Sequence, residues 1–479
     1  MAGPKRILFA GSECFPLIKT GGLADVMGAL PPALQSLGLE VFTLLPGFPA
    51  VKAGVKKAKK VGMLTDIAGG SVALLKGKSP TGQDILVADA QHLFDIQGNP
   101  YLDANGEDRP DNGVRYAAFS EIAAKVAMGE AFKWRADVVH AHDWQAGLVA
   151  AYLSLMKEPV PKTVFTIHNL AFQGLFPKSQ MSKIGLPADM FHQDGVEFWD
   201  KISFLKAGIV YSDVVTTVSP TYAREIQTEE GGMGLGGLLK KLNHKLHGIA
   251  NGIDTEVWNP ETDATLPKPY SAKAVAGKKA AKKALLQRFG LATKAKGPLF
   301  GVISRLTEQK GLDLVARALP HMVGNDAQLV LLGSGEKDLE QLFQAAANNH
   351  PHHVGTFIGY DEKLAHQVQA GADVILVPSR FEPCGLTQLC AMRYGSVPLV
   401  ARVGGLADTV IDASAAALKH KQGTGIQFSP AGFAPFIAGL DRTLQLYQDS
   451  KTWVQIRRNG MREDVSWAQP AAAYHALYQ

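Results

Sequence analysis

The stretches "LFGVIS" at residues 299–304, "KGLDLVARALPHM" at 310–322 and "AQLVLLG" at 327–333 decide the fold class. The first and third are short and almost continuously apolar, whereas the middle one has apolar residues at the spacing of an amphipathic helix. Continuously apolar strands are typical of a parallel sheet covered on both faces, and a helix between two of them makes the parallel crossover. This segment therefore predicts a strand–helix–strand unit of an α/β fold.

The same alternation runs through the whole chain, and 479 residues suggest about two domains rather than one core. We predict two doubly wound, Rossmann-like α/β domains that face a deep cleft, because such sheets bind ligands beyond the carboxyl ends of their strands. A stretch rich in lysine and alanine at 265–298 is interpreted as a connection near the boundary. The other predicted strands are "RILFA" (6–10), "EVFTLL" (40–45), "DILVADA" (84–90), "DVVHAH" (137–142), "TVFTIH" (163–168), "DVVTTVS" (213–219), "TFIGY" (356–360), "DVILVPS" (373–379) and "VPLVA" (397–401).

The composition excludes several classes of protein. With 49 basic and 44 acidic residues, the net charge of +5 indicates neither a nucleic-acid-binding nor a membrane-binding surface, although it suits a phosphorylated small molecule. Cys14, Cys384 and Cys390 fit neither a disulfide framework nor a metal spacing. No apolar stretch approaches the ~18–20 residues of a membrane span, and the N-terminal apolar run is too short for a signal peptide. These features predict a soluble cytoplasmic protein.

The pentapeptide Gly-Gly-Leu-Ala-Asp occurs twice, at 21–25 and at 404–408. Each copy lies between a predicted strand and a helical pattern. Paired glycines allow the backbone to approach a ligand closely, and the start of a helix offers free N–H groups and a dipole that favours anions. An ordinary glycine turn is the competing interpretation for each copy.

Two basic side chains follow a strand of the second half. Arg305 and Lys310 lie five residues apart in "SRLTEQKG", at the turn from strand to helix. In that position they are able to hold the two phosphates of a diphosphate, one as a planar fork and one as a point charge. Lys19, just before the first glycine pair, offers a third cation. Solvated surface charge is the competing interpretation.

Glu382 in "SRFEPCGLTQL" follows another strand of the second half. A carboxylate there can accept hydrogen bonds from sugar hydroxyls or stabilise developing positive charge. The alternative is an N-terminal helix cap.

Histidines and an aspartate end two strands of the first half, in "HAHD" (140–143) and "TIHN" (166–169). The first spacing suggests a metal site, but no second set of carboxylate or thiolate ligands accompanies it. The sequence also lacks an Asp-x-Asp pair to hold a divalent ion against a diphosphate. We therefore predict no metal and no cofactor, so that basic side chains and helix N-termini neutralise the phosphates.

Together these motifs resemble bacterial glycogen synthases and plant starch synthases, in order and over effectively the whole chain, from about residue 6 to "DVSW" at 464–467. The resemblance implies the two-domain GT-B fold and a retaining glycosyltransferase. It further implies transfer of glucose from ADP-glucose to the non-reducing 4-hydroxyl of an α-1,4-glucan such as glycogen. The motifs that carry it are "KTGGLADV" (19–26), "HAHDW" (140–144), "TIHNLAFQG" (166–174), "ANGID" (250–254), "SRLTEQKG" (304–311), "SRFEPCGLTQL" (379–389) and "GGLADTV" (404–410).

The resemblance also implies domain boundaries and roles for residues of the first domain. The domains would span 1–253 and 254–455, and the segment 456–479 would return to the first domain. Lys19 and Gly22 would approach the diphosphate and the sugar of the donor. The residues that would contact the donor or acceptor sugar, or lie nearby, are Asp143, His168 and Asn169.

In the second domain the resemblance implies a donor site. Those residues that would bind or lie near the phosphates are Arg305, Lys310, Gly404, Gly405 and Leu406. Those at the donor glucose would be Glu382, Cys384 and Gly385. Tyr360 would stack on the adenine, and Asn251 would lie at the hinge side of the cleft. The residues assigned to catalysis are Glu382, Asp143, His168, Lys310 and Arg305.

Three other functions compete with this one. Another retaining GT-B enzyme would use UDP-glucose or a small sugar acceptor. However, many of these, including sucrose synthases, carry a glutamate eight residues after the first, where this chain has Cys390. A noncatalytic glucan-binding protein would be expected to have lost Lys19, Glu382 or Lys310, and all three are present. A nucleotide-dependent oxidoreductase is disfavoured because no G-x-G-x-x-G follows a strand.

Overall fold

The structure is a computed structural model that describes residues 4–479. These residues form two compact units, one comprising the chain up to Asn251 together with Trp467–Gln479, and the other Gly252–Ser466. The strands are β1 Arg6–Ala10, β2 Glu40–Pro46, β3 Lys56–Ile67, β4 Gly70–Lys78, β5 Asp84–Asp89, β6 Val138–His142, β7 Lys162–Ile167, β8 Leu175–Pro177, β9 Glu197–Phe198, β10 Lys201–Ser203, β11 Val214–Thr217, β12 Leu246–Gly248, β13 Leu299–Ile303, β14 Gln328–Gly333, β15 Val354–Ile358, β16 Val374–Val377, β17 Val397–Ala401 and β18 Ile426–Phe428. The helices are α1 Gly22–Gln35, α2 Pro49–Gly54, α3 Gln91–Phe94, α4 Asn112–Met128, α5 Val149–Ser154, α6 Phe204–Tyr211, α7 Pro220–Glu225, α8 Gly236–Lys241, α9 Ala276–Arg288, α10 Leu312–Gly324, α11 Lys337–Asn349, α12 Glu362–Gly371, α13 Thr387–Arg393, α14 Gly404–Thr409, α15 Ala415–Lys419, α16 Phe433–Gln448, α17 Ser450–Arg462 and α18 Ala468–Tyr478.

The main sheet of the first unit has the strand order β12-β11-β7-β6-β1-β2-β5-β4-β3. From β12 to β5 the pairs are parallel, whereas β4 pairs antiparallel with both β5 and β3. Strand β3 was not predicted, because it is a mostly exposed edge strand whose "KKAKK" has no apolar run. Lysines on an edge strand oppose pairing with another chain, which explains this composition. The other strands that were not predicted are β4, β8, β9, β10, β12 and β18.

The sheet of the second unit has the order β15-β14-β13-β16-β17-β18 and is parallel throughout. The predicted strand–helix–strand unit is confirmed, since β13 pairs with β14 in the register Leu299↔Gln328 and α10 connects them. Helix α10 buries Leu312, Val315 and Leu319 in the core, at the spacing that its sequence pattern predicts.

The lysine- and alanine-rich stretch belongs to the second unit rather than connecting the two units. Helix α9 within it packs against α12. The Nζ atom of the buried Lys278 donates hydrogen bonds to the carbonyl oxygens of Ala370 and Ala372, at 2.9 and 3.0 Å. One face of this basic helix is therefore part of a core, which its composition concealed.

The C-terminal residues divide between the units. Helix α17 buries Trp453 and Ile456 in the core of the second unit, so the return to the first unit begins at Trp467 and not at residue 456. Helix α18 packs within the first unit, where its Tyr478 carbonyl accepts a hydrogen bond from Lys5 Nζ at 2.6 Å. Among the described residues, no helix combines the length and the hydropathy that a membrane crossing requires.

Candidate active site

The carboxyl ends of two neighbouring strands in the second unit bring Lys310 and Glu382 together. Lys310 ends a 3₁₀ turn that follows β13, and Glu382 lies in the loop after β16, which is the strand paired with β13. The Lys310 Nζ atom donates to Glu382 Oε2 at 2.6 Å, and Ser379 Oγ donates to the same oxygen at 2.9 Å. The side chains are only 19% and 9% exposed, so this charge-assisted contact is poorly screened by water.

The second glycine pair supports the loop that carries Glu382. The backbone N–H of Gly405 donates to the carbonyl oxygens of Glu382 and Pro383, at 3.1 and 3.2 Å. A Cβ atom on Gly404, whose φ is +41°, would lie 2.0 Å from the Glu382 carbonyl oxygen, and one on Gly405 would lie 2.1 Å from that of Cys384. The glycines are therefore required by a close approach to the protein's own backbone, in addition to any approach to a ligand.

The other predicted residues of the second unit lie around this pair or on its surface. Leu406 is buried beside the loop, and its Cδ2 atom would lie 3.0 Å from a Cβ atom placed on Gly385. Gly385 itself has a φ of +70°, and Cys384 is buried. Arg305 is exposed, and Tyr360 is 72% exposed with its hydroxyl bonded to Glu362. The structure thus joins most of the predicted set around the Lys310–Glu382 pair, whereas Arg305 and Tyr360 lie on the surface of the unit.

The first glycine motif opens α1 of the first unit, which begins at Gly22. Lys19 lies in the preceding loop, and its Nζ atom donates to Asp25 Oδ1 at 2.9 Å. Both side chains are about one-quarter exposed, at 24% and 26%. A salt bridge of this kind holds the basic group over the first turn of the helix.

A buried carboxylate that the sequence analysis missed fixes this loop. Glu13 accepts hydrogen bonds from the backbone N–H groups of Thr20 and Gly21 and from the hydroxyl of Tyr101. Four partners in all converge on it, since the Thr20 hydroxyl also donates. Glu13 precedes the glycine motif by eight residues and belongs to no recognisable pattern, so the only available signal was a charged residue in an apolar stretch.

Three histidines of the first unit, His140, His142 and His168, form a cluster at the ends of β6 and β7, in which His140 and His142 are buried and His168 is partly exposed. His142 Nδ1 lies 3.0 Å from His168 Nε2. His140 is bonded instead to the Tyr478 hydroxyl at 2.8 Å and to Thr166 Oγ1 at 2.6 Å. Burial lowers the pKa of His168 to about 3, so that its imidazole is neutral near neutral pH. Among the described residues, no group of three or more histidine, cysteine or acidic side chains is placed to hold a metal ion.

Asp143 follows β6 with a positive φ of +55°. Its Oδ1 atom accepts the backbone N–H of His168 at 2.7 Å. Asn169 follows His168, and its own side-chain oxygen accepts the N–H of Ala171 at 3.0 Å. Asn251 is buried at the end of the first unit, with no hydrogen bond from the described residues to its Oδ1 atom.

The Asp143 carboxyl is expected to make folding stability depend on pH. Burial raises its pKa to about 7, against the opposing effect of the backbone N–H groups of His168 and Asn169. Because folding raises this pKa, the protonated Asp143 carboxyl contributes to the free energy of unfolding. This contribution is complete below about pH 4 and is lost as the pH rises to about 7. From pH 5 to pH 8, urea unfolding should show a larger loss of stability for the wild type than for Asp143→Asn. Equal losses would mean that the carboxyl titrates at its ordinary pKa.

Comparisons with known proteins show the family to which the chain belongs. A family model described as the starch synthase catalytic domain matches residues 6–241, and one described as glycosyl transferases group 1 matches residues 285–431. The glycogen synthase of Rhodopseudomonas palustris (strain ATCC BAA-98 / CGA009) is 52% identical, over 99% of this chain and 98% of its own length. The glycogen synthase of Roseobacter denitrificans is 51% identical, over 99% of this chain and 98% of its own.

A solved structure leads to the same class. The catalytic domain of starch synthase IV from Arabidopsis thaliana, bound to ADP and acarbose, matches with a TM-score of 0.91 and 33% identity, over 100% of this chain and 99% of that chain. The fold, with its two Rossmann-like units, is that of the GT-B glycosyltransferases. Within that class, the chain belongs to the family of bacterial glycogen synthases and plant starch synthases, which confirms the resemblance carried by the motifs.

Proposed function

We propose that this chain transfers glucose from ADP-glucose to the non-reducing end of an α-1,4-glucan, with retention of configuration. The observation that carries the proposal is the Lys310–Glu382 contact of 2.6 Å at adjoining strand ends, in a chain that is 52% identical to a glycogen synthase over nearly its full length. The starch synthase neighbour with bound ADP and acarbose supports an adenine nucleotide donor and a glucan acceptor. A cytoplasmic location remains a prediction that rests on the sequence.

The roles of the residues in the second unit follow from the charges that develop when the bond between glucose and the diphosphate breaks. Departure of the diphosphate places negative charge on its oxygens and positive charge on the glucose ring. Lys310 and Arg305 stabilise the departing diphosphate, and Glu382 holds glucose hydroxyls and stabilises the positive ring. The loop of Cys384 and Gly385, backed by Gly404, Gly405 and Leu406, holds this carboxylate in place, and Tyr360 stacks on the adenine.

Retention of configuration is assigned to attack on the same face of the sugar. A double displacement requires a carboxylate nucleophile on the opposite face of the anomeric carbon. On the strength of the family resemblance we assign the neutral His168 to that side, and a neutral imidazole is suited to hydrogen bonding of a sugar hydroxyl. The departing phosphate oxygen then accepts the proton of the acceptor hydroxyl.

The remaining assignments concern the first unit. Lys19 adds positive charge beside the donor, and Gly22 brings the start of α1 close to it. Asp143 positions the backbone of His168 through the hydrogen bond described above. Asn169 lies next to that histidine, and Asn251 offers to a ligand its amide oxygen, which has no hydrogen-bond partner among the described residues.

The donor preference and the absence of a metal requirement are tested together. With glycogen as the primer, glucose incorporation from ADP-glucose is expected to exceed that from UDP-glucose at least ~10-fold, because one well-placed set of contacts to the base is worth ~1.4 kcal/mol or more. Treatment with a chelator should leave the rate unchanged, since Lys310, Arg305 and Lys19 supply the positive charge. Activity that is lost with the chelator and restored by magnesium would overturn that assignment. A preference for UDP-glucose would favour the competing enzyme class.

A further inference from the structure

His142 is a buried imidazole with one hydrogen bond and one unpaired nitrogen. Its Nδ1 atom lies 3.0 Å from His168 Nε2. Its Nε2 atom is buried and has no hydrogen-bond partner among the described residues. The ring lies between Phe9 and His140, with centroid distances of 5.1 and 4.1 Å.

These contacts decide which nitrogen of each ring carries the proton. Burial lowers the pKa of both His142 and His168, so each ring is neutral and carries one proton. If His168 Nε2–H donated the shared bond, the proton of His142 would sit on its Nε2 atom, as a buried N–H without an acceptor. Such orphaned N–H groups are rare in folded proteins because their desolvation is not compensated. If His142 Nδ1–H donates, the buried Nε2 atom is an unprotonated nitrogen and no donor is left orphaned.

We propose that His142 is a positioning residue that holds neutral His168 in the Nδ1–H tautomer, so that His168 presents a hydrogen-bond donor to the substrate. The functional part rests on the role proposed above for His168. The His168 side chain is partly exposed, and its Nδ1 atom makes no hydrogen bond to the described residues. An Nδ1–H group there recognises an oxygen lone pair, such as that of a glucose hydroxyl. In this tautomer His168 cannot accept a proton at Nδ1 and is therefore not a general base.

The tautomer is measured directly by long-range ¹H–¹⁵N correlation spectra of the full chain labelled with ¹⁵N-histidine at pH 7. The His168 signals are assigned by their absence from the His168→Gln spectrum. We expect a single Nδ1–H tautomer for the wild type and for His142→Asn, whose side-chain amide can donate from the position of Nδ1. In His142→Leu, which keeps an apolar side chain between the neighbouring rings, we expect a population of the Nε2–H tautomer.

Two results overturn the inference: an Nε2–H tautomer of His168 in the wild type, or an unchanged tautomer in a folded His142→Leu protein. If His142→Leu does not fold, the wild-type and His142→Asn spectra decide. Turnover distinguishes this inference from the proposed function. We expect His142→Leu to lower kcat about 10-fold, which is the effect of one weakened hydrogen bond. We expect His142→Asn to retain most of the wild-type kcat. An altered tautomer with unchanged kcat supports the positioning by His142 and overturns the role proposed for His168.

Discussion

Replacing Glu382 with glutamine is expected to lower kcat with ADP-glucose and glycogen by at least ~100-fold, because the substitution removes the negative charge that stabilises the positive glucose ring. The side chain keeps its shape, and its amide oxygen can still accept from Lys310 and Ser379, which now donate to Glu382 Oε2. Loss of the ion pair in this partly buried setting should lower Tm by only about 2–4 °C. Initial rates at saturating donor and thermal unfolding measure the two effects.

Intact-mass measurements on the same variant test the same-face mechanism. Incubation of Glu382→Gln with ADP-glucose is expected to yield no glucosyl-enzyme, since no nucleophile is assigned to the opposite face. A covalent sugar adduct would show that a double displacement operates instead. Glu261→Gln is the matched control, because it makes the same change at an exposed glutamate of the same unit and should leave kcat within about twofold.

Lys310, the ion-pair partner of Glu382, should act together with that glutamate in catalysis. Lys310→Ala alone is expected to lower kcat at least ~100-fold, and the double variant should lose less than the product of the two single losses. This non-additivity is the consequence of the direct contact between the two side chains. Lys279→Ala removes an exposed lysine from the same unit and serves as the control for net charge. Strictly multiplicative losses would mean that Lys310 and Glu382 act on the substrate independently.

The sequence could predict which residues follow the strands at this site, but not which strands are neighbours. Apolar runs located β13 and β16, and polar residues just after them were expected at the same sheet edge, which led to Lys310 and Glu382. The contact itself depends on β13 and β16 being neighbours, although 72 residues separate Lys310 from Glu382 along the chain. Strand order is a property of the whole sheet, so local patterns do not specify it.

Other features had no local signal. The Glu13–Tyr101 contact joins residues 88 positions apart, and neither belongs to a motif of known chemistry. The lysines of β3 obscure the alternation of a strand, and those of α9 conceal a face that packs in the core. The return of α18 to the first unit was expected only from the family resemblance, because its hydrogen bond to His140 joins residues 338 positions apart.

Replacing Gly405 with alanine is expected to be among the most damaging single changes in the second unit. The new Cβ atom would lie 2.1 Å from the Cys384 carbonyl oxygen and 2.6 Å from the Cys384 Cα atom. Both are backbone atoms, so relief requires α14 and the loop after β16 to move apart, at a cost of about 2–3 kcal/mol. That movement breaks the hydrogen bonds from the Gly405 N–H to the carbonyl oxygens of Glu382 and Pro383. It also displaces the Glu382 carboxylate, so kcat should fall at least ~100-fold.

Gly324→Ala is the matched control for that variant, because it adds the same methyl group at the end of α10 with nothing within 4 Å of the new Cβ atom. Here the substitution should leave kcat unchanged and stabilise the fold by about 0.5 kcal/mol, because alanine restricts the unfolded chain more than glycine. Thermal unfolding should therefore show a lower Tm for Gly405→Ala and a higher Tm for Gly324→Ala than for the wild type. Initial rates should show a loss of turnover in Gly405→Ala only. If Gly405→Ala matched the wild type in Tm and kcat, α14 would not pack directly on the Glu382 loop, and the glycine pair would have to be explained by its ligand alone.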